Sequence, residues 1–284
     1  MINFPDDQIT DRIERIKADL SPRYDVDLDD PTSNKTQGAI LRVQDAWKFN
    51  KDVRAIAANA EVLALLSKLY GRRAFPFQTL NFPVGTQQHL HSDSIHFSSI
   101  PERYMCGVWL AMEDVHPDAG PLTYLPGSQK WPILSNSMIG RRGFGSKSNS
   151  AQSPFETAWR ALVQQAGKKQ EVFLAQEGQA LIWAANLLHG GSPQQNPQRT
   201  RWSQVTHYYF ENCAYYTPAF SDEYLGDLDL RHVVDAETNS TRANLYLGQP
   251  VRPPKRGSKS FKDRIKARLP SVSLRSGFDA TTIA

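Results

Sequence analysis

His91 and Asp93 stand in the run Gln88-His89-Leu90-His91-Ser92-Asp93, and His189 follows 96 positions after Asp93, in Leu187-Leu188-His189-Gly190-Gly191. An imidazole and a carboxylate two residues apart point to the same side of a strand. A third imidazole brought from a distance completes a face of two histidines and one carboxylate. Such a face holds one side of an octahedral metal and leaves the other side open, the arrangement of non-haem Fe(II) oxygenases. The spacing alone does not choose between His89 and His91, because both share strand parity with Asp93.

A second group lies downstream in Arg199-Thr200-Arg201-Trp202-Ser203-Gln204-Val205-Thr206-His207. In a strand, Arg201, Ser203, Val205 and His207 share one face, and Arg199 joins them if the strand extends that far. A guanidinium turned into a barrel is costly unless it meets an anion. A dicarboxylate cosubstrate is such an anion, because the guanidinium fork matches a carboxylate bidentately. Ser203 offers a hydroxyl to the same carboxylate. The competing reading, of equal weight from parity, leaves Arg199 and Arg201 as solvated residues at a strand start.

These residues need a scaffold. Ile9, Ile13, Ile16 and Leu20 recur at helical spacing and predict an amphipathic helix over Asp7–Leu20. Residues 21–40 are polar and turn-rich and read as a loop. Two short helices follow, Asp52–Ala58 and a second capped at Asn59, stopped at Gly71, with Val62, Leu63, Leu66 and Leu69 buried. The character then changes to strands: Phe75–Phe82, Gln87–Asp93, Met105–Met112, Pro121–Leu125, Val172–Leu174, Gln179–Trp183 and Arg201–Phe210. Turn signals such as Pro126-Gly127-Ser128 and Glu177-Gly178 separate them. The set predicts a mainly β domain with flanking helices, built as a sandwich or barrel. A Gly/Ser/Arg-rich stretch, Arg141–Ser153, and a helix at Pro154–Gln165 interrupt it.

The chain of 284 residues is long enough for one sizeable core. No run of about 18 apolar residues occurs, so no membrane span is expected. The polar N-terminus lacks the pattern of a signal peptide, and two cysteines, Cys106 and Cys213, make no disulfide framework; a cytoplasmic location is the default expectation. The net charge of +4 is uneven: residues 251–284 carry nine Lys/Arg and two acids, +7, which leaves the body at −3. Phe261, Ile265 and Leu269 recur among the basic residues of this tail. A basic amphipathic helix on an anionic membrane surface is one reading, and a soluble terminal segment is the favoured one. The acidic body, with no recognition motif, argues against nucleic-acid binding.

Taken in order, several motifs resemble the phytanoyl-CoA dioxygenase (PhyH-like) family. They are His91-Ser92-Asp93-Ser94-Ile95-His96-Phe97, Gly107-Val108-Trp109-Leu110-Ala111-Met112-Glu113-Asp114, Gly120-Pro121-Leu122, Leu125-Pro126-Gly127-Ser128, His189-Gly190-Gly191-Ser192-Pro193, and Arg201 with His207 six residues on. The similarity covers about Phe75–Phe210. It implies a double-stranded β-helix (jelly roll, cupin-like barrel) and an Fe(II)- and 2-oxoglutarate-dependent oxygenase using O₂. It implies His91, Asp93 and His189 as metal ligands and catalytic centre, and Arg201 as partner of the 2-oxoglutarate C5 carboxylate. Trp109 falls where the family places an aromatic in the cosubstrate pocket, and His96 where a residue faces substrate or makes a structural hydrogen bond. The His189–Arg201 segment is one residue longer than usual, which keeps Arg199 in competition. Gln129 follows Pro-Gly-Ser where many relatives have His. Relatives that halogenate carry a small residue in place of the carboxylate, so Asp93 points to hydroxylation.

The expected activity is therefore hydroxylation of an unactivated C–H of a small organic molecule, with release of succinate and CO₂. A non-catalytic or zinc-occupied jelly-roll binding module is the alternative. The segments 21–40, 94–104, 130–153 and 211–250 are expected to cover the barrel mouth, with aromatics such as Phe97, Tyr215 and Tyr216 and basic residues such as Arg103. Neither the substrate nor the oligomeric state is legible.

Overall fold

Alternation along the strand Ser203–Phe210 divides the molecule into two layers. Gln204, Thr206, Tyr208 and Phe210 turn one way, and Ser203, Val205, His207 and Tyr209 the other; all eight are buried, so the strand is covered on both faces. The computed structural model describes residues 1–24, 26–30, 32–35, 41–141 and 151–251. Met1–Val251 form one compact unit.

Ser203–Phe210 is central in a six-stranded antiparallel sheet. The order across it is Ile2–Asn3, Gln179–Ala184, Met105–Ala111, Ser203–Phe210, Ala74–Phe82, Val43–Gln44. Its outer face carries Cys106, Val108, Leu110, Tyr208 and Phe210, packed against Ile13, Ile16, Leu20, Val53, Ile56, Val62 and Leu66 of the N-terminal helices. A buried aliphatic side chain of this kind contributes about 1.5–3 kcal/mol. The contact has polar pins as well: Tyr208 Oη donates to the Ala57 carbonyl at 2.9 Å and Gln204 Nε2 to the Val53 carbonyl at 3.2 Å.

The inner face carries Phe82, Trp109, Ala111, Leu181, Trp183 and Val205. It packs on Leu122 and Phe173 of a second, three-stranded antiparallel sheet ordered Glu171–Phe173, Leu122–Tyr124, His189–Gly191. The two sheets face each other as a jelly roll, and the site residues lie between them.

The helices form where periodicity and caps place them: Ile9–Leu20, Lys51–Ala57, Ala60–Tyr70 and Ser153–Ala166. Asn50 accepts from Asp52 N and Val53 N, and Asn59 from Glu61 N and Val62 N, so each asparagine closes a helix start. Gly71, with φ +67°, ends the third helix in a left-handed cap. Asp52 ties the first two helices together, accepting from Arg12 and Arg15 at 2.8 to 2.9 Å.

Two expectations are corrected. Leu69 is 62% exposed, because the helix meets the sheet through Val62, Leu63, Leu66 and the Tyr70 ring, which stacks on Phe210. Gln87–Asp93 is not a strand: it meets the sheet at the bridge His91–His189 and through one bond from Gly191 N to the Gln88 carbonyl, and Asp93 opens a 3-10 turn, Asp93–Ile95. Residues 142–150 of the Gly/Ser/Arg-rich stretch and the tail from 252 lie outside the described residues. Among the described residues no helix is long and apolar enough to cross a membrane.

Candidate metal centre

His91 and His189 meet as a bridged antiparallel pair, exchanging backbone bonds of 2.9 and 3.0 Å. That pairing sets their ring centroids 4.5 Å apart. The glycine after His189 is required by crowding: a Cβ on Gly190 would come 2.6 Å from the Gln88 carbonyl. Asp93 arrives through a turn, not through strand parity. Ser92 Oγ accepts from Ser94 N at 3.3 Å and donates to the Ala185 carbonyl at 3.0 Å. Ser94 N donates to the same carbonyl at 3.1 Å. The two serines of His-Ser-Asp-Ser therefore anchor the turn to the end of the Gln179–Ala184 strand and turn Asp93 back toward the histidines.

Each imidazole is held by its outer nitrogen. His91 Nδ1 lies 3.0 Å from the His89 carbonyl and His189 Nδ1 3.0 Å from the Leu187 carbonyl. A carbonyl only accepts, so each Nδ1 carries a proton, and Nε2 is the nitrogen turned toward the other donors. Burial, reinforced by His189, pushes His91 down to about 4, and its ring is neutral near pH 7. Burial by itself would raise the Asp93 carboxyl. The fields of His189, His207 and His91 outweigh it and hold Asp93 well below the usual carboxylate range.

The donors converge. Asp93 Oδ1 is 3.9 Å from His91 Nε2 and 3.7 Å from His189 Nε2. These separations are too long for hydrogen bonds. Donors about 2.1 Å from a shared ion lie within about 4.2 Å of each other, so one divalent cation fits between them. All three ligand atoms fall within 4.8 Å of one another. His89 is exposed and contributes only its carbonyl.

Asp93 Oδ2 is occupied from behind. The Trp183 indole Nε1 donates to it at 2.8 Å, and His207 Nε2 stands at 3.6 Å, an electrostatic contact beyond hydrogen-bond length. His207 is steadied by Gln78, whose Oε1 is 3.0 Å from Nδ1. The Trp183 ring lies across Gly107, its partner on the neighbouring strand. A Cβ there would meet the indole at 2.5 Å. Nothing local in the sequence marks Trp183 or Gln78 for this role, because the pairing of Trp183 with Gly107 is set between strands far apart in the chain.

The centre opens into a cavity of about 310 Å³, lined at its other end by Arg201 and Trp109. Arg201 is 3% exposed. Its Nη2 reaches only the Val84 carbonyl, at 3.4 Å, and its Nε has no partner. Burial pushes the guanidinium down to about 10, partly offset by Glu113. The Trp109 ring lies 5.4 Å from it. Arg199 is exposed and outside the lining, so only Arg201 of the two faces the cavity. Ser203 is buried with an unpartnered hydroxyl but does not line the cavity. His96 and Phe97 line it, whereas Tyr215 and Tyr216 are buried with the strand Ala214–Tyr216, and Arg103 bonds to the Gln129 and Trp131 carbonyls. Thr217 and Arg231 also line it, from a segment with no periodicity to mark them.

The sequence model of the phytanoyl-CoA dioxygenase (PhyH) family matches residues 7–202. No curated protein matches the chain significantly. Among solved structures, the epimerase SnoN in complex with Fe3+, alpha ketoglutarate and nogalamycin RO is 17% identical, with TM-score 0.54, over 88% of this chain and 89% of that one. The carbocyclase SnoK from nogalamycin biosynthesis is 12% identical, with TM-score 0.55, over 88% and 86%. EctD from S. alaskensis with 2-oxoglutarate and 5-hydroxyectoine is 16% identical, with TM-score 0.52, over 75% and 72%. At these identities the likeness is one of fold.

Proposed function

The chain belongs to the phytanoyl-CoA dioxygenase family, and from that membership we propose an Fe(II)- and 2-oxoglutarate-dependent oxygenase that hydroxylates an unactivated C–H of a small organic molecule. The observation that carries this reading is one cavity holding both a His-Asp-His donor set and, apart from it, a buried guanidinium lacking an anion. Iron and 2-oxoglutarate, when bound, would supply the oxidant by reaction with O₂, one oxygen atom going into succinate as CO₂ leaves and the other to the substrate C–H. His91, Asp93 and His189 hold the metal. Arg201 receives the distal carboxylate of 2-oxoglutarate, and the Trp109 face borders that end. Leu80, Phe82, Leu122 and Val205 keep it apolar, which strengthens the ion pair and excludes water. The intact carboxylate of Asp93 supports hydroxylation, because it fills the position that halogenating relatives leave free for chloride.

Trp183 acts as a positioning residue. Its N–H holds Asp93 Oδ2 and leaves Oδ1 toward the histidines. Trp183→Phe is expected to weaken Mn(II) binding about 10- to 100-fold, the usual cost of an outer partner. Gly107→Ala, which pushes the indole away, is expected to do the same and to lower the melting temperature. Calorimetric Mn(II) titration checks both, and unchanged affinity in both variants refutes the role.

The function itself is tested anaerobically. Fe(II) with 2-oxoglutarate should give a weak visible charge-transfer band that decays on admitting O₂ with formation of succinate. A protein that binds zinc but gives neither band nor succinate would instead be a ligand-binding jelly roll.

A further inference from the structure

The cavity has more positive charge than its cosubstrate needs. Among the described residues its lining carries three guanidinium groups, Arg42, Arg201 and Arg231, against one carboxylate, Asp93. A divalent metal would outweigh Asp93, and 2-oxoglutarate would bring two negative charges for the metal and Arg201. Arg42 is exposed to solvent, which leaves Arg231 within the cavity without a counter-charge.

Arg231 is built into its place. Nη1 donates to Thr217 Oγ1 at 3.1 Å and to the His96 carbonyl at 3.4 Å. The guanidinium lies over the Phe97 ring, 4.7 Å from its centroid. Phe97 in turn is 5.0 Å from the ring of His207, which faces Asp93. Arg231 therefore sits on the metal side of the cavity, on elements separate from Arg201, which lies two residues before the strand Ser203–Phe210. Its Nε is buried with no partner, and no carboxylate pairs with it among the described residues. The Nε–Nη2 edge is the side of a guanidinium that takes the two oxygens of one carboxylate. A buried donor left unpaired is costly, so an anion that satisfies it is favoured.

We infer that Arg231 is the substrate's anchor, and that the substrate is a small molecule bearing a carboxylate. This rests on the function proposed above, with 2-oxoglutarate held at Arg201. The anchored group stays charged and unreacted, and it fixes which C–H is presented to the metal. Gln152 and Thr217 are the neutral polar groups lining the cavity nearby in the fold, and Phe97 and Phe220 offer apolar walls for the carbon skeleton.

The test uses the full chain loaded with Zn(II), with and without 2-oxoglutarate. Matched acids and amides serve as probes: benzoate against benzamide, phenylacetate against phenylacetamide, and cyclohexanecarboxylate against its amide. Dissociation constants are read by ligand-observed NMR. At least one acid should bind saturably and tenfold or more tighter than its amide. Arg231→Gln should abolish that preference while 2-oxoglutarate affinity stays at the wild-type value. Arg231→Lys, which keeps the charge but loses the fork, should retain part of it. The inference fails if no acid is preferred, if the preference survives Arg231→Gln, or if Arg231→Gln only lowers the melting temperature. Loss of 2-oxoglutarate binding in Arg231→Gln would also overturn it, by making Arg231 the cosubstrate's partner. Failure of the wild type to bind 2-oxoglutarate sinks the function reading instead, and the panel without 2-oxoglutarate still decides Arg231.

Discussion

Replacing Arg201 by methionine is expected to erase 2-oxoglutarate binding without harming the unliganded protein. In the unliganded state Arg201 is a cation at 3% exposure with a 3.4 Å hydrogen bond and an unpartnered Nε. Burial disfavours its charge, as the lowered pKa of about 10 indicates. Removing an uncompensated buried charge in favour of an apolar side chain of similar length is neutral or stabilising. Once a carboxylate fills the space, the same guanidinium becomes half of a buried bidentate pair. Breaking such a pair costs about 3–5 kcal/mol, which is about 100- to 4000-fold in affinity. The opposite signs make the experiment decisive. With Mn(II) present and 2-oxoglutarate at a hundredfold excess over its dissociation constant, the wild type gains about 2.7 kcal/mol, or about 5–10 °C of melting temperature. Arg201→Met should melt at or above the unliganded wild type and show no gain. A full thermal gain in Arg201→Met would remove Arg201 from the site, and Arg199→Met, at an exposed position, should leave the gain intact.

Exchange of Asp93 has the second large effect, and two substitutions separate its two roles. Asp93 Oδ1 faces the imidazole nitrogens, and Oδ2 accepts from the Trp183 indole at 2.8 Å. Asp93→Ala removes both and strands a buried indole N–H, at a cost of about 1–3 kcal/mol. Asp93→Asn keeps an acceptor for the indole but loses the negative charge. Mn(II) affinity should therefore fall in both variants, by more than the about 100-fold upper cost of losing an outer partner. Thermal stability should fall in Asp93→Ala and recover in Asp93→Asn. Calorimetry and melting curves read the two effects separately. Wild-type Mn(II) affinity in Asp93→Asn would show that the ion, if bound, is held elsewhere.

The helices were legible because Ile9, Ile13, Ile16 and Leu20, with the caps Asn59 and Gly71, are local signals obeying local geometry. The strand of Arg201 and His207 was legible through two-residue parity, which does turn both toward the cavity. Parity failed at His91–Asp93. It kept His89 as a rival and predicted a strand where Ser92 and Ser94 build a turn on Ala185, a residue some ninety positions away in sequence. The same distance hid Trp183, whose hydrogen bond to Asp93 spans 90 positions, and Arg231, whose bond to the His96 carbonyl spans 135.

Residue types and their order set the chemistry on offer: two imidazoles and a carboxylate for a metal, a guanidinium for an anion, and a β scaffold with flanking helices. Such properties belong to side chains and to short-range periodicity. Which of the rivals share a cavity was settled by how the chain packs. That packing put Arg201 inside and Arg199 outside, left His89 with nothing but a carbonyl to offer, and brought Trp183 and Arg231 to the site. The physical reason is that burial and hydrogen-bond pairing are settled by packing between segments far apart in the chain, which no local pattern encodes.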